Sequence, residues 1–142
     1  MNPIRVASII AAPVVVVVAG TMFWQARQSA DDVFVTPAAL VQVKVPELPM
    51  LAQQGLKVFE ANCAACHGDL ADGRSDLGPP LVHKIYEPGH HGDAAFYLAV
   101  AQGVRAHHWP FGNMPPVEGV SEEDVAKIFF FVRTLQRANG IY

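Results

Sequence analysis

The sequence has few cysteines and few basic residues, and both shortages limit what the chain can be. Only two cysteines occur in 142 residues, and because they stand close together a disulfide between them would close too short a loop to stabilise the fold much. Apart from Arg5 and Arg27 near the N-terminus, eight Lys and Arg stand against thirteen Asp and Glu, a net charge of −5. This acidic balance argues against a nucleic-acid-binding protein and against a polybasic membrane-surface patch.

The two cysteines stand in the segment Cys63-Ala64-Ala65-Cys66-His67, which is the attachment pattern for haem c. Each thiol can add across a vinyl group of haem to form a thioether, and His67 is then placed to donate a ring nitrogen to the iron. A thioredoxin-like Cys-x-x-Cys motif would need a βαβ context, whereas the flanking sequence looks helical. A zinc site would need further ligands at metal spacing, which later histidines could in principle supply. The pattern predicts one covalently bound haem c.

The N-terminal segment is long and apolar. Residues 6–24 carry no charge and include an unbroken run from Val14 to Val18. At about 1.5 Å per residue they would form a helix of about 28 Å, close to the thickness of a bilayer core. A cleaved secretory signal is the alternative, but the run exceeds the roughly 7–15 residues of a signal core, and Gln28 stands where cleavage needs a small residue. We expect residues 1–24 to be a retained single-pass membrane anchor.

Residues 25–50 are predicted to be a linker, because three prolines interrupt them and no helical period runs through them. The segment is too apolar for a free tether, since Val33–Val35 and Val41–Val45 are apolar or alternate as short strands do. Two interpretations stay open: a semi-stiff spacer that contacts its own domain, and a docking strip for a partner subunit. The haem domain is predicted to follow at residues 51–142.

Three helices are predicted in that domain, which makes it all-α. The first begins at Leu51 and runs up to the cysteine motif. The second covers Asp93–Gln102, with Asp93 as a plausible N-cap. The third begins after an N-cap at Ser121, which is followed by three acidic residues where the helix dipole favours negative charge, and it stops near Gly140.

A second axial ligand for the iron must come from elsewhere in the chain. Beyond the N-terminal segment the methionines are Met50, just before the first helix, and Met114, in a loop made rigid by Pro115 and Pro116. We expect the thioether of Met114 to be the sixth ligand, because the prolines limit how far the loop can drift from the iron. Ligation by Met and His together favours ferrous iron and raises the reduction potential. Ordinary gap-filling is the alternative role for Met114.

Together with the cysteine motif and Met114, residues 51–139 resemble the class I, or mitochondrial-type, cytochromes c. Gly55 and Phe59 stand where that family packs a small residue and an aromatic of the first helix against the last helix. Phe129–Phe131 lie in the aromatic stretch of that last helix, and the segment from Gly78 to Leu81 resembles the family's Gly-Pro-x-Leu. The resemblance implies a small helical fold around one haem. It also implies that the haem domain lies in the periplasm of a bacterium, anchored to the inner membrane, because haem c is attached on that side.

The resemblance also implies roles for individual residues. Pro79 would offer its backbone carbonyl to the Nδ1–H of His67 and so fix the orientation of the imidazole. Leu81 would pack on the face of the haem. Arg74 and Trp109 would donate hydrogen bonds to the haem propionates.

The chain departs from the family pattern in its histidines, which form an insert at positions 83–91 and a pair before Met114. They are His83, His90, His91, His107 and His108. They could include an alternative sixth ligand, form a surface metal site, or make a pH-sensitive contact with a partner. Their spacing matches no metal motif, and we expect them to be solvated loop side chains.

These features together predict a membrane-anchored electron-transfer protein and not an enzyme. By resemblance to anchored bacterial cytochromes c, its donor would be a quinol-oxidising complex and its acceptor a terminal oxidase or a photosynthetic reaction centre. Three alternatives stay open. The chain could be a fixed haem subunit of a larger membrane redox enzyme, which the apolar linker favours, or a cleaved soluble carrier. It could also be a ligand-binding or peroxidatic haem sensor, which would require a labile bond between iron and Met114.

Overall fold

Two helices that cross at a glycine organise the fold. The computed structural model describes residues 33–34 and 39–142, and the part of the chain from Val33 onward forms one unit. Its elements, in chain order, are β1 (Val33–Phe34), β2 (Val43–Lys44), α1 (Met50–Asn62), α2 (Ala64–His67), a 3₁₀ turn (Lys84–Tyr86), α3 (Asp93–Gln102) and α4 (Glu122–Ala138).

The C-terminal helix α4 begins where its sequence provides a cap. The Ser121 hydroxyl accepts a hydrogen bond from the backbone N–H of Asp124 at 3.1 Å, and Lys127 pairs with Glu123 one turn later at 2.8 Å. Four apolar side chains recur at helical spacing along the buried face: Val125, Ile128, Val132 and Leu135. The predicted N-cap is therefore present, and the helix turns an apolar stripe toward the core.

Helices α1 and α4 approach each other closely at Gly55. A Cβ atom at this position would lie 2.0 Å from the backbone carbonyl oxygen of Lys127, so only glycine allows the observed separation. One turn further along α1, the rings of Phe59 and Phe131 meet with their centroids 5.4 Å apart, and both side chains are fully buried. This crossing carries the hydrophobic core and sets the position of the cysteine motif at the end of α1.

The second half of the predicted linker packs on the domain. Strands β1 and β2 pair antiparallel, and Val43 is 0% exposed within the core. The side chain of Asn139, just after α4, donates to the carbonyl of Lys44 at 2.9 Å and accepts from its N–H at 2.8 Å. These contacts extend the haem domain to the N-terminal side of the boundary predicted at residue 51. They favour the interpretation of this stretch as a spacer that contacts its own domain.

Arg133 of α4 holds the histidine insert in place. Its side chain is 4% exposed and donates to the backbone carbonyls of Tyr86 at 2.6 Å and His91 at 2.7 Å. The guanidinium also lies 5.1 Å from the ring centroids of both Phe96 and Phe129, which pack edge to face between α3 and α4. Charged hydrogen bonds to backbone carbonyls are strong, so Arg133 fixes the insert against the core, and the amide of Gln136 adds a bond to Tyr86 at 3.2 Å.

The predicted helices match the structure closely. The first begins one residue before Leu51, the second covers the predicted range with Gly92 rather than Asp93 as its N-cap, and the third follows Ser121 as predicted. The predicted membrane anchor lies outside the described residues. Within residues 33–34 and 39–142, no helix has the length and apolar character needed to cross a bilayer.

Candidate haem site

A largely apolar cavity lies beside the cysteine motif. Its volume is about 370 Å³, within the range of small-molecule and cofactor sites. Apolar side chains from α1, α3, α4 and the loops between them line most of its wall: Phe59, Leu81, Ala95, Phe96, Leu98, Ala99, Val100, Val104, Phe111 and Ile128. Such a wall suits a flat apolar ligand with a few polar attachment points.

Cys63 and Cys66 stand at the junction of α1 and α2, where Cys63 caps the end of α1. Both thiols are free, Cys63 lines the cavity, and Cys66 is exposed. Burial, together with the nearby Cys66, raises the pKa of Cys63 to about 11. The thiol therefore stays protonated at neutral pH, which is opposite to the lowered thiol pKa of redox-active and metal-binding cysteines. The motif also lies between two helices and not in a βαβ unit, which weighs against the thioredoxin-like interpretation.

His67 is buried and oriented by one backbone contact. Its Nδ1–H donates to the carbonyl oxygen of Pro79 at 2.9 Å, and the ring lines the cavity. Burial lowers the pKa of His67, and the bond to Pro79 only partly offsets this effect. The imidazole is therefore neutral at neutral pH, and its Nε2 lone pair is left for a metal.

Gly78 allows the Pro79 carbonyl to lie close enough to His67 to accept this hydrogen bond. A Cβ on Gly78 would lie 2.6 Å from the carbonyl oxygen of Cys66, so a larger residue would push this segment away from the cysteine motif. The Gly-Pro-Pro-Leu segment is thus held against the turn that carries His67. Leu81 at its end lines the cavity.

Met114 lies on the cavity wall and Met50 does not. Met114 forms a two-way backbone bridge with Val104, both hydrogen bonds being 2.9 Å long. Gly103 permits this bridge: it has φ +73°, and a Cβ there would lie 2.4 Å from the carbonyl oxygen of Met114. Met50, at the start of α1, is 75% exposed. Of the methionines in the described residues, Met114 alone is placed to ligate a group in the cavity.

The two residues expected at the propionates differ in their placement. Trp109 lines the cavity, and its indole N–H is buried without a well-formed hydrogen bond. The indole N–H faces the hydroxyl of Tyr86, whose pKa is raised by burial and lowered in smaller part by this contact. Arg74 does not line the cavity and instead pairs with Asp69 at 3.1 Å on the surface.

Sequence reasoning missed Tyr86, which lines the cavity from the 3₁₀ turn of the insert. No motif marks this tyrosine, and only the packing of the insert brings it to the site. The histidines only partly match the expectation of solvated loop side chains, since His90, His107 and His108 are exposed whereas His83 and His91 are half-buried. His91, His107 and His108 line the cavity, and the ring of His83 packs against Trp109 with centroids 5.1 Å apart.

The residues around the cavity fit a covalently attached haem. Two thiols at the cysteine motif, the imidazole of His67 and the thioether of Met114 are the groups that such a haem needs, and the buried indole N–H of Trp109 has no well-formed hydrogen bond. Residues 52–136 match the family model for cytochrome c. This chain belongs to the cytochrome c family.

Similar proteins carry the same kind of domain. This cytochrome c is 49% identical over 94 residues to the Cbb3-type cytochrome c oxidase subunit FixP of Rhizobium meliloti, covering 65% of this chain and 30% of that protein. It is 36% identical over 92 residues to the Cbb3-type cytochrome c oxidase subunit FixPc of Rhizobium leguminosarum bv. viciae, covering 63% and 30% respectively. The chain thus matches less than a third of the length of these relatives. Together with the single cysteine motif, the family makes this a class I cytochrome c with one covalently bound haem c.

Proposed function

We propose that Cys63 and Cys66 hold the haem through thioethers and that His67 and Met114 are its axial ligands. Haem c supplies a centre that accepts and releases one electron without making or breaking bonds. The observation that carries this proposal is the convergence of Cys63, His67 and Met114 on one cavity. Trp109 is the proposed partner of a propionate, since its buried N–H needs an acceptor. Arg74 would first have to leave Asp69 to play such a part, so its role rests on the family resemblance alone.

The chain's own residues favour electron transfer over ligand binding. The hydrogen bond that His67 donates to the Pro79 carbonyl holds its imidazole in one orientation, and the bridge with Val104 holds the backbone of Met114 in one position. Ligands that are fixed before the iron changes charge keep the geometry alike in both oxidation states, so little reorganisation opposes transfer. If His67 and Met114 hold the iron as proposed, oxygen and peroxide would find no open coordination site.

The proposed setting is a bacterial membrane. Residues 6–24 have the length and composition of an anchor, and the haem domain would lie on the periplasmic side, close to its partners. The relatives are subunits of cbb3-type oxidases, which favours a terminal oxidase as the acceptor. A quinol-oxidising complex is the proposed donor.

A second candidate is a fixed subunit of the oxidase itself. The identity of 49% to an oxidase subunit favours it. Mild-detergent extraction of native membranes, followed by a native gel stained for haem, separates the two candidates. A haem band running alone would indicate a carrier that visits its partners, and a band held stoichiometrically in a large complex would indicate a subunit.

The ligand assignment is tested by comparing Met114→Ala with Met50→Ala. We expect ferrous wild type and Met50→Ala to bind carbon monoxide slowly or not at all, because their iron is saturated. Met114→Ala should bind it rapidly and should lose the sulfur-to-iron absorption band of the ferric form. Rapid binding by the wild type would instead support the haem sensor, and an unchanged Met114→Ala would show that another side chain, such as a histidine of the cavity wall, is the sixth ligand.

A further inference from the structure

Three histidines outside the proposed iron ligands converge on one point at the edge of the haem domain. His90 and His91 end the insert, and His108 lies on the loop before Met114. One ring nitrogen from each of the three lies within 4.8 Å of the other two. The Nε2 atoms of His90 and His108 are 3.3 Å apart, although the two residues are eighteen positions apart in the sequence. We refer to His90, His91 and His108 as the histidine cluster.

The spacing in the cluster suits a tetrahedral metal ion. Zinc–imidazole bonds of about 2.0–2.1 Å at tetrahedral angles place two ligand nitrogens about 3.3 Å apart. The Nε2 atoms of His90 and His108 already have this separation. His90 and His108 are exposed, so their rings can rotate to bring the third nitrogen into the same shell without moving the core.

The surroundings of His91 prepare it to be a ligand. Its Nδ1–H donates to the carbonyl oxygen of Ile85 at 2.7 Å, which fixes the tautomer and leaves Nε2 as the free lone pair. Metal-binding histidines are commonly oriented by such a bond to a carbonyl. The backbone of His91 is in turn held by Arg133, which donates to its carbonyl at 2.7 Å. The insert therefore presents this imidazole from a rigid base.

The rings of the cluster also lie close to one another. The ring centroid of His108 is 5.2 Å from those of both His90 and His91, and the centroids of His90 and His91 are 4.7 Å apart. The three imidazoles are therefore already gathered at one point before any ion binds.

We propose that the histidine cluster is a binding site for one divalent late transition-metal cation, of the class of Zn²⁺ or Cu²⁺, separate from the haem iron. Imidazole is a preferred ligand of these ions, whereas Mg²⁺ and Ca²⁺ require oxygen ligands that the cluster does not supply. Three protein nitrogens leave the fourth tetrahedral position to water or to a group from a partner. His91 and His108 also line the haem cavity, so the site lies at its edge.

The test is a calorimetric titration of the holo-protein with Zn²⁺, using protein purified without a histidine tag. We compare the wild type with the double variant His90→Gln/His108→Gln and with His107→Gln. The last variant removes an imidazole from the same loop but outside the cluster, so it is the matched control. An unchanged haem absorption spectrum in each variant shows that the fold and the iron ligation are intact.

The expected result is one Zn²⁺ per chain for the wild type and for His107→Gln, with similar affinities. The double variant should bind at least tenfold more weakly, since loss of even a supporting contact at a metal site costs roughly 10–100-fold. The proposal is overturned if the wild type binds no Zn²⁺. It is equally overturned if the double variant binds as tightly as the wild type, or if only His107→Gln loses binding.

Discussion

Replacing Gly55 by alanine would place a methyl group at the crossing of α1 and α4. The added Cβ would lie 2.0 Å from the carbonyl oxygen of Lys127, 2.6 Å from its carbonyl carbon and 2.9 Å from the Cβ of Phe131. Ordinary contacts of a Cβ atom begin at 3.4 Å. Because the two nearest atoms belong to the backbone, no side-chain rotation can relieve the overlap, and the helices must move apart.

The size of the effect follows from two opposing terms. Overpacking a close-packed core costs about 1–3 kcal/mol, and a clash with backbone belongs at the upper end of that range. Alanine recovers about 1 kcal/mol, since it is the better helix former. We therefore expect Gly55→Ala to lower the free energy of unfolding by about 2 kcal/mol, and the Tm by about 10 °C for a domain of this size.

Guanidinium and thermal unfolding of the holo-protein, followed by circular dichroism, measure this loss. Gly89→Ala is the control, because a Cβ on Gly89 meets no atom within 4 Å. That variant should stay within about 0.5 kcal/mol of the wild type. A Gly55→Ala variant as stable as the wild type would refute the close approach of the two helices and the need for glycine at their crossing.

Further predictions concern α4 and the insert that it holds. Ser121→Ala should cost about 1 kcal/mol by removing the N-cap, whereas Ser121→Asp should keep most of the stability; equal losses in both would contradict capping. The Ser121 hydroxyl, followed by Lys127, lowers the pKa of Asp124, so this carboxylate stabilises the fold at neutral pH and the benefit is lost as the pH falls through the lowered pKa. An NMR titration should show the pKa of Asp124 rising in Ser121→Ala, and an unchanged value would be evidence against the bond. Arg133→Met should cost about 2 kcal/mol, because the half-buried carbonyl of His91 loses its charged donor and that of Tyr86 keeps only the bond from the Gln136 amide at 3.2 Å. Hydrogen exchange should then quicken across residues 86–91, and unaltered protection there would count against this role.

The helices were predictable because their signals are local. The cap at Ser121, the acidic first turn and the apolar spacing of α4 act within a few residues, and the structure follows them. The family resemblance, and not a local pattern, predicted that Gly55 packs against the last helix. The need for a small residue there comes from α4, more than seventy positions away in the sequence. The antiparallel pairing of β1 with β2 is less visible in the sequence, because strands of two residues carry almost no pattern.

The outer wall of the cavity could not be predicted in the same way. Tyr86 and the histidines reach the cavity only because the insert folds back. Arg133 holds the insert there. The sequence pattern places Arg133 on a helix but does not indicate which groups it contacts. The acceptors of these hydrogen bonds are backbone carbonyls, which every residue has, so the amino-acid sequence does not mark them. For the same reason, the convergence of His90 with His108 follows from the folding of two loops and not from any metal-binding spacing.

The function proposed for this cytochrome c is electron transfer toward a terminal oxidase. The most direct measurement is the absorption spectrum of its haem in native membranes that are supplied with a quinol donor. We expect the haem to become reduced when cyanide blocks the oxidase, and to be reoxidised when oxygen is admitted without cyanide. A haem that keeps the same oxidation state under both conditions would contradict it.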